Sequence, residues 1–125
     1  MGRLSLAIGI FFWGGANLFA GPENGTVVHG HATFQSIANG IEIHSGHKTI
    51  INWDSFSIDA GEIARFCQSS EASAVLNRVI GSEQSLINGL LSSNGHVFLL
   101  NQNGILIGKD GVIDVAGFTA STLNL

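Results

Sequence analysis

An all-β solenoid is the fold this sequence predicts, on three observations: sparse charge with abundant glycine, short β-prone runs between turn dipeptides, and a recurring frame in those turns. Only 11% of the 125 residues are Asp, Glu, Lys or Arg, against roughly 25% in an average soluble domain, while 17 are glycine. Helices need charged outer faces and avoid internal glycine, whereas short strands and tight turns tolerate both. Hydrophobic residues make up 45% of the chain, enough for one core and no more than one globular unit.

Composition also narrows the function classes. The formal charge is −4, and Arg3, Lys48, Arg65, Arg78 and Lys109 are scattered singly, so no basic patch exists to neutralise a row of phosphates, and nucleic acid is excluded as a partner. Cys67 is alone and cannot close an intrachain disulfide; it is expected to be a small buried hydrophobe.

The amino terminus reads as an address. One cation, Arg3, precedes the uncharged run Leu4 to Trp13, and small or uncharged residues follow through Ala20. That order is the layout of a secretory signal peptide, with cleavage expected between Ala20 and Gly21. The apolar run is shorter than the roughly 20 residues of a membrane span and is broken by Gly14, Gly15 and Asn17. Residues 1–20 are therefore assigned to the leader and 21–125 to the mature segment.

Beyond Gly21, turn signals recur at Asn24-Gly25, Asn39-Gly40, Ala60-Gly61, Asn88-Gly89, Asn94-Gly95, Asn103-Gly104 and Asp110-Gly111. Asn-Gly and Asp-Gly supply the positive φ that sharp turns require. Between them lie β-branched and aromatic runs: Ile41 to Ile43, Thr49 to Trp53, Glu62 to Cys67, Ala74 to Ile80, Val97 to Leu100, Ile105 to Ile107 and Val112 to Val115. Only a weak helical period touches Glu71 to Leu76, so helix content near zero is expected.

The block Asn88-Gly89-Leu90-Leu91 with Gly95 overlays Asp110-Gly111-Val112-Ile113 with Gly117 at an offset of 22 residues. Counted from Gly40, Gly61, Gly89 and Gly111 the spacings are 21, 28 and 22, the longer one accommodating a loop around Gln68 to Ser73. A period of this size in a strand-rich chain means stacked coils. The Leu-x-x-Leu-x-Leu pattern of leucine-rich repeats is absent, which leaves a right-handed parallel β-helix, a pectin-lyase-like solenoid, as the expected architecture.

At Ile51-Asn52-Trp53-Asp54-Ser55-Phe56 the chain begins to resemble the amino-terminal two-partner secretion domain, or haemagglutination activity domain, of the filamentous haemagglutinin family. The likeness runs through Ala74-Val75-Leu76-Asn77-Arg78-Val79-Ile80-Gly81. It continues from Ser85 to Ile105, with Ser93-Asn94-Gly95, Val97-Phe98-Leu99 and Asn101-Gln102-Asn103-Gly104, and ends at Val115 to Thr122. The resemblance implies a right-handed parallel β-helix with extra-helical elements near its start. It also implies the secretion domain of a large adhesin, haemagglutinin, haemolysin or contact-dependent toxin, recognised by an outer-membrane transporter with periplasmic recognition domains. Export to the surface or exterior of a Gram-negative bacterium follows, with any contact to host or bacterial surfaces made by regions downstream. Two departures stand out: Gln102 replaces the family's proline, and the chain stops at about half the family's domain length, so the helix is expected to be truncated.

Within this frame the candidate recognition or corner residues are Asn77, Arg78, Asn101, Asn103 and Gly104. Asn101 and Asn103 lie at a corner where their amides can bond the backbone and stack on an asparagine of the next coil, Asn77 being the expected ladder partner of Asn101. The same residues could instead meet the transporter. Arg78 is a recognition charge or a solvated or ion-paired arginine. His29-x-His31 and His44-x-x-His47 suggest metal, but no carboxylate or cysteine stands beside either pair at ligand spacing, so no metal or other cofactor is expected. The rival reading is a β-helical polysaccharide-active enzyme. Against it, Glu42, Asp54, Asp59, Glu62, Glu71, Glu83, Asp110 and Asp114 are dispersed without a paired constellation, and no catalytic residue is assigned. A truncated exoprotein with no function alone is the third reading.

Overall fold

The computed structural model of the chain describes residues 21–123. The expected leader, with Ala20 of the expected cleavage site, lies outside the described residues. Among those described there is no helix and there are twelve strands. In chain order they are β1 (Thr26–His29), β2 (Ala32–Ile37), β3 (Gly40–Ser45), β4 (Thr49–Trp53), β5 (Ile63–Gln68) and β6 (Ala74–Val79), then β7 (Ser85–Ile87), β8 (Leu90–Ser93), β9 (His96–Leu100), β10 (Ile105–Ile107), β11 (Val112–Asp114) and β12 (Gly117–Ser121).

The strands form three ribbons, ordered β1-β4-β6-β9-β12, β11-β8-β5-β3-β2 and β10-β7. All pairings from β3 onward are parallel, so each circuit of the chain lays one strand beside its predecessor, as a solenoid of about four turns. Gly40 stands opposite Ile63, Ile63 opposite Leu90 and Leu90 opposite Val112, giving turn lengths of 23, 27 and 22 residues along that ribbon. The 22-residue offset read from the two glycine frames is thus the true register, while Gly61 sits slightly out of frame. The long middle turn arises at two places: the loop between β5 and β6, as expected, and the stretch from Ile80 to Gln84 ahead of β7.

Alternation decides the core. In β4, β5 and β6 every second residue is buried, which stacks Thr49 on Val75 and Val97, and Ile51 on Asn77 and Leu99. The opposite wall stacks Ile41, Ala64, Leu91 and Ile113 in register. Trp53, Phe56 and Phe66 fill the first coils. Trp53 meets Phe56 edge-on at 5.7 Å between centroids, and Phe56 stacks with Phe66 at 6.3 Å.

The first coil does not end in open hydrogen-bonding groups. β1 pairs antiparallel with β4, and β2 pairs antiparallel with β3, so the two strands cap both long ribbons. These are the extra-helical elements that the family resemblance implied. Phe34 of β2 completes the closure by packing edge-on against Trp53 at 5.6 Å. The edges of β3 and β4 are thereby paired, and the outer edge of each long ribbon at this end passes to β1 and β2.

Glycine at the turns has two distinct causes. Positive φ falls on Asn24, Gly40, Gly61 and Gly104, as turn chemistry predicts. Gly89 has no positive φ. It is glycine because a Cβ there would collide with the carbonyl oxygen of Asp59 and lie 2.5 Å from that of Glu62, where one coil crosses closely over the next.

Candidate functional site

The candidate site is the corner between β9 and β10, together with the cleft beside it. Asn101 follows directly on β9 and is only 1% exposed. Its backbone N–H donates to Ser121 O at 3.0 Å, joining the corner to β12. Its side-chain Nδ2 donates to Glu83 O at 2.9 Å and to Ser85 Oγ at 3.0 Å. Its Oδ1 accepts from the Asn103 backbone N–H at 2.9 Å and from Asn103 Nδ2 at 3.0 Å. Asn103 Nδ2 also donates to Gly81 O at 2.8 Å. Gly104 closes the turn, donating to Asn101 O at 3.1 Å with a φ of 115°, and its own carbonyl accepts from Ser85 N at 3.0 Å. Both N–H positions of each amide are therefore used, and the corner clamps the Gly81–Ser85 segment of the preceding coil.

The expected ladder between Asn77 and Asn101 does not form. Asn77 stands opposite Leu99 in the register and is fully buried. Its Oδ1 accepts from Trp53 Nε1 at 2.9 Å and its Nδ2 donates to Phe98 O at 3.3 Å. A buried indole N–H needs an acceptor, and Asn77 supplies it from one coil away. The asparagine is thus a core partner of Trp53 rather than an element of the corner.

Arg78 points to the opposite side of the same strand. It is half-buried, and its Nε donates to Asn52 Oδ1 at 2.9 Å. No ion pair to Arg78 occurs among the described residues. Together with Asn52, Ile80, Leu100 and Gln102 it lines a cleft of about 300 Å³ next to the corner. Ile80, at 60% exposure, places a large apolar surface on its rim. The cleft thus offers a guanidinium whose terminal N–H groups have no partner among the described residues, an apolar wall and the edge of a rigid turn, a combination suited to docking a peptide or protein surface.

A buried carboxylate lies in a turn on the first coils. Glu62 is 2% exposed; its Oε1 accepts from Asp59 N at 2.9 Å, while its Oε2 has no hydrogen-bond partner among the described residues. Burial pushes its pKa above the ordinary glutamate value, the Asp59 N–H opposing and the Asp59 charge reinforcing the shift.

The histidine pairs do not converge as pairs. His29 Nδ1 lies 3.3 Å from Lys48 O, and His47 Nδ1 accepts from Ala74 N at 3.2 Å. His44 turns instead to Glu42, with Nε2 to Oε1 at 2.8 Å. Cys67 is not the buried hydrophobe expected. It stands half-exposed on the outer face of β5, opposite His44 in the register.

Residues 19–125 match the TPS secretion domain family. The chain belongs to that family. It is similar to the crystal structure of the HMW1 secretion domain from Haemophilus influenzae, with 48% identity and a TM-score of 0.82, over 84% of this chain and 28% of that one. It is also 38% identical, over 105 residues, to a heme/hemopexin-binding protein of Haemophilus influenzae strain Rd, and 38% identical over 106 residues to a second protein of that name from the same species. The matches take in 83% of this chain but only 12% and 11% of those relatives. This TPS secretion domain is therefore of the kind carried by large exoproteins, and the family is one of secretion domains rather than of enzymes.

Proposed function

We propose that the mature segment beginning at Gly21 is recognised in the periplasm by the periplasmic domains of a partner outer-membrane transporter, passes through that transporter, and nucleates β-helical folding outside a Gram-negative cell. The observation that carries this reading is the 48% identity, over 84% of the chain, to a solved secretion domain. The Arg78 cleft with Asn52, Ile80 and Gln102 is the recognition surface, because it presents guanidinium donors unpaired among the described residues and exposed apolar area. The Asn101–Gly104 corner fixes its shape rather than making the contact, since the side-chain N–H groups of Asn101 and Asn103 are consumed within the chain. Adhesion, cytolysis or capture of a host protein belongs to sequence beyond the secretion domain.

Co-expression with and without the cognate transporter tests the proposal. The chain should reach the medium only with the transporter present, and its amino terminus should be Gly21. Arg78→Ala should lower export and binding to the isolated periplasmic domains at unchanged thermal stability. Equal export without the transporter would refute the reading, and Met1 retained on membrane-bound material would refute the leader.

A further inference from the structure

The outer face of the β3–β5 pair gathers three metal-ligating groups that secretion does not use. Glu42 and His44 are alternate residues of β3 and share a face, and the parallel register sets Cys67 of β5 directly opposite His44. The ligand atoms of all three lie within 4.8 Å of one another. A tetrahedral ion with bonds of about 2.0–2.3 Å holds its donors roughly 3.5 Å apart. The 2.8 Å contact between His44 Nε2 and Glu42 Oε1 would thus open by about 0.7 Å, and the separations from Cys67, at most 4.8 Å, would have to change by no more than about 1.3 Å. Side-chain rotation supplies such movements on a rigid sheet.

We propose that Glu42, His44 and Cys67 form a surface site for a divalent transition metal of the zinc class. The donor set is one carboxylate oxygen, one imidazole nitrogen and one thiolate sulfur. That mixture suits zinc and disfavours magnesium or calcium, which take oxygen alone. A carboxylate and a thiolate together balance a divalent charge. Arg65 Nη1 stands 3.5 Å from Glu42 Oε2, the other carboxylate oxygen, and so orients the ligand without occupying the donor facing His44. A shallow depression beside His44 and Cys67 is lined also by His31 and Thr33. With three protein donors the fourth position falls to water or to His31.

Cobalt(II) titration of the purified full chain tests the site, with zinc competition as the second arm. Saturable binding of one ion, a thiolate-to-cobalt charge-transfer band and its displacement by zinc are the expected results. Cys67→Ser should abolish the band, and Glu42→Gln and His44→Ala should each weaken binding at least roughly 10-fold, the cost that even outer partners of metal ligands carry. Far-ultraviolet circular dichroism should stay unchanged for all three variants. His47→Ala, outside the cluster, should bind as the parent does. Absence of saturable binding overturns the proposal. So does a band that survives Cys67→Ser, or binding indifferent to Glu42 and His44, which would mean a thiol acting alone.

Discussion

Replacing Asn101 with alanine removes four side-chain hydrogen bonds at once: those to Glu83 O and Ser85 Oγ, and those from the Asn103 backbone and side chain. Ser85 is fully buried and Asn101 nearly so, which leaves little access for water to replace the lost partners. Each buried group left unsatisfied costs about 1–3 kcal/mol. Ser85 Oγ and Glu83 O lose their donor, and the Asn103 N–H loses its acceptor. Allowing partial hydration of the Asn103 side, the net loss is about 3–5 kcal/mol, a large share of the roughly 5–15 kcal/mol that holds a small domain together. Asn103→Ala forfeits only the bonds of a more exposed amide and should cost about 1 kcal/mol. Urea melts followed by circular dichroism measure both, and export into the medium is scored in parallel. The two variants should fall on one line, export declining as stability declines. An Asn101→Ala chain that keeps parental stability yet fails to be exported would refute the argument and make the corner itself the contact surface.

Three further outcomes follow from the geometry. Glu62→Gln should raise stability at neutral pH and flatten its pH dependence. A carboxylate whose pKa is raised on folding destabilises the fold as pH rises through that raised value, so parental stability should fall over that range while the glutamine variant stays level, and parallel curves would refute the burial argument. Asn77→Ala should cost about 2–4 kcal/mol, because the Trp53 N–H and the Phe98 carbonyl both lose a partner inside the core; a loss under about 0.5 kcal/mol would show that water takes the place of the amide. A chain that stops at Leu125 should self-associate with rising concentration. The outer edges of β10, β11 and β12 carry no neighbouring strand among the described residues, and Leu106 and Val112 are 54% and 53% exposed there. Size-exclusion chromatography showing a monomer at every concentration would count against it.

The sequence discloses parts of this fold that are periodic and conceals parts that are not. Thr49–Trp53 was legible to the residue because β-branched and aromatic types dominate it between the charged Lys48 and Asp54, and the parallel β8–β11 register was legible because two glycine frames repeat at its spacing. β1 and β2 carry no repeat. They cap the coil by antiparallel pairing, outside the period that identifies the rest, and β2 is largely exposed, so burial leaves little pattern in its sequence. β7 and β8 escape a reading for β-branched and aromatic runs because Ser-Leu-Ile and Leu-Leu-Ser-Ser hold a single β-branched residue between them, whereas the equally short β10 is Ile-Leu-Ile.

Polar residues were harder to place than apolar ones, and the reason lies in the solenoid itself. The partners of a side chain in a stacked coil lie one turn before or after it, not beside it in sequence. Asn77 occupies a buried position in an alternating strand, a place where an amide must find partners one turn away. It finds Trp53 24 residues before it and Phe98 21 residues after it. The pairing sought instead, asparagine on asparagine, fails because Asn101 lies past the end of the β6–β9 ladder, two residues beyond the register partner of Asn77. The same logic unites His44 with Cys67, 23 residues apart, which no scan for closely spaced ligands detects. Once the turn length of each ribbon is known, any buried polar or metal-ligating residue can be tested for a complement at that offset, and the corner meets the test through Asn103 and Gly81, 22 residues apart.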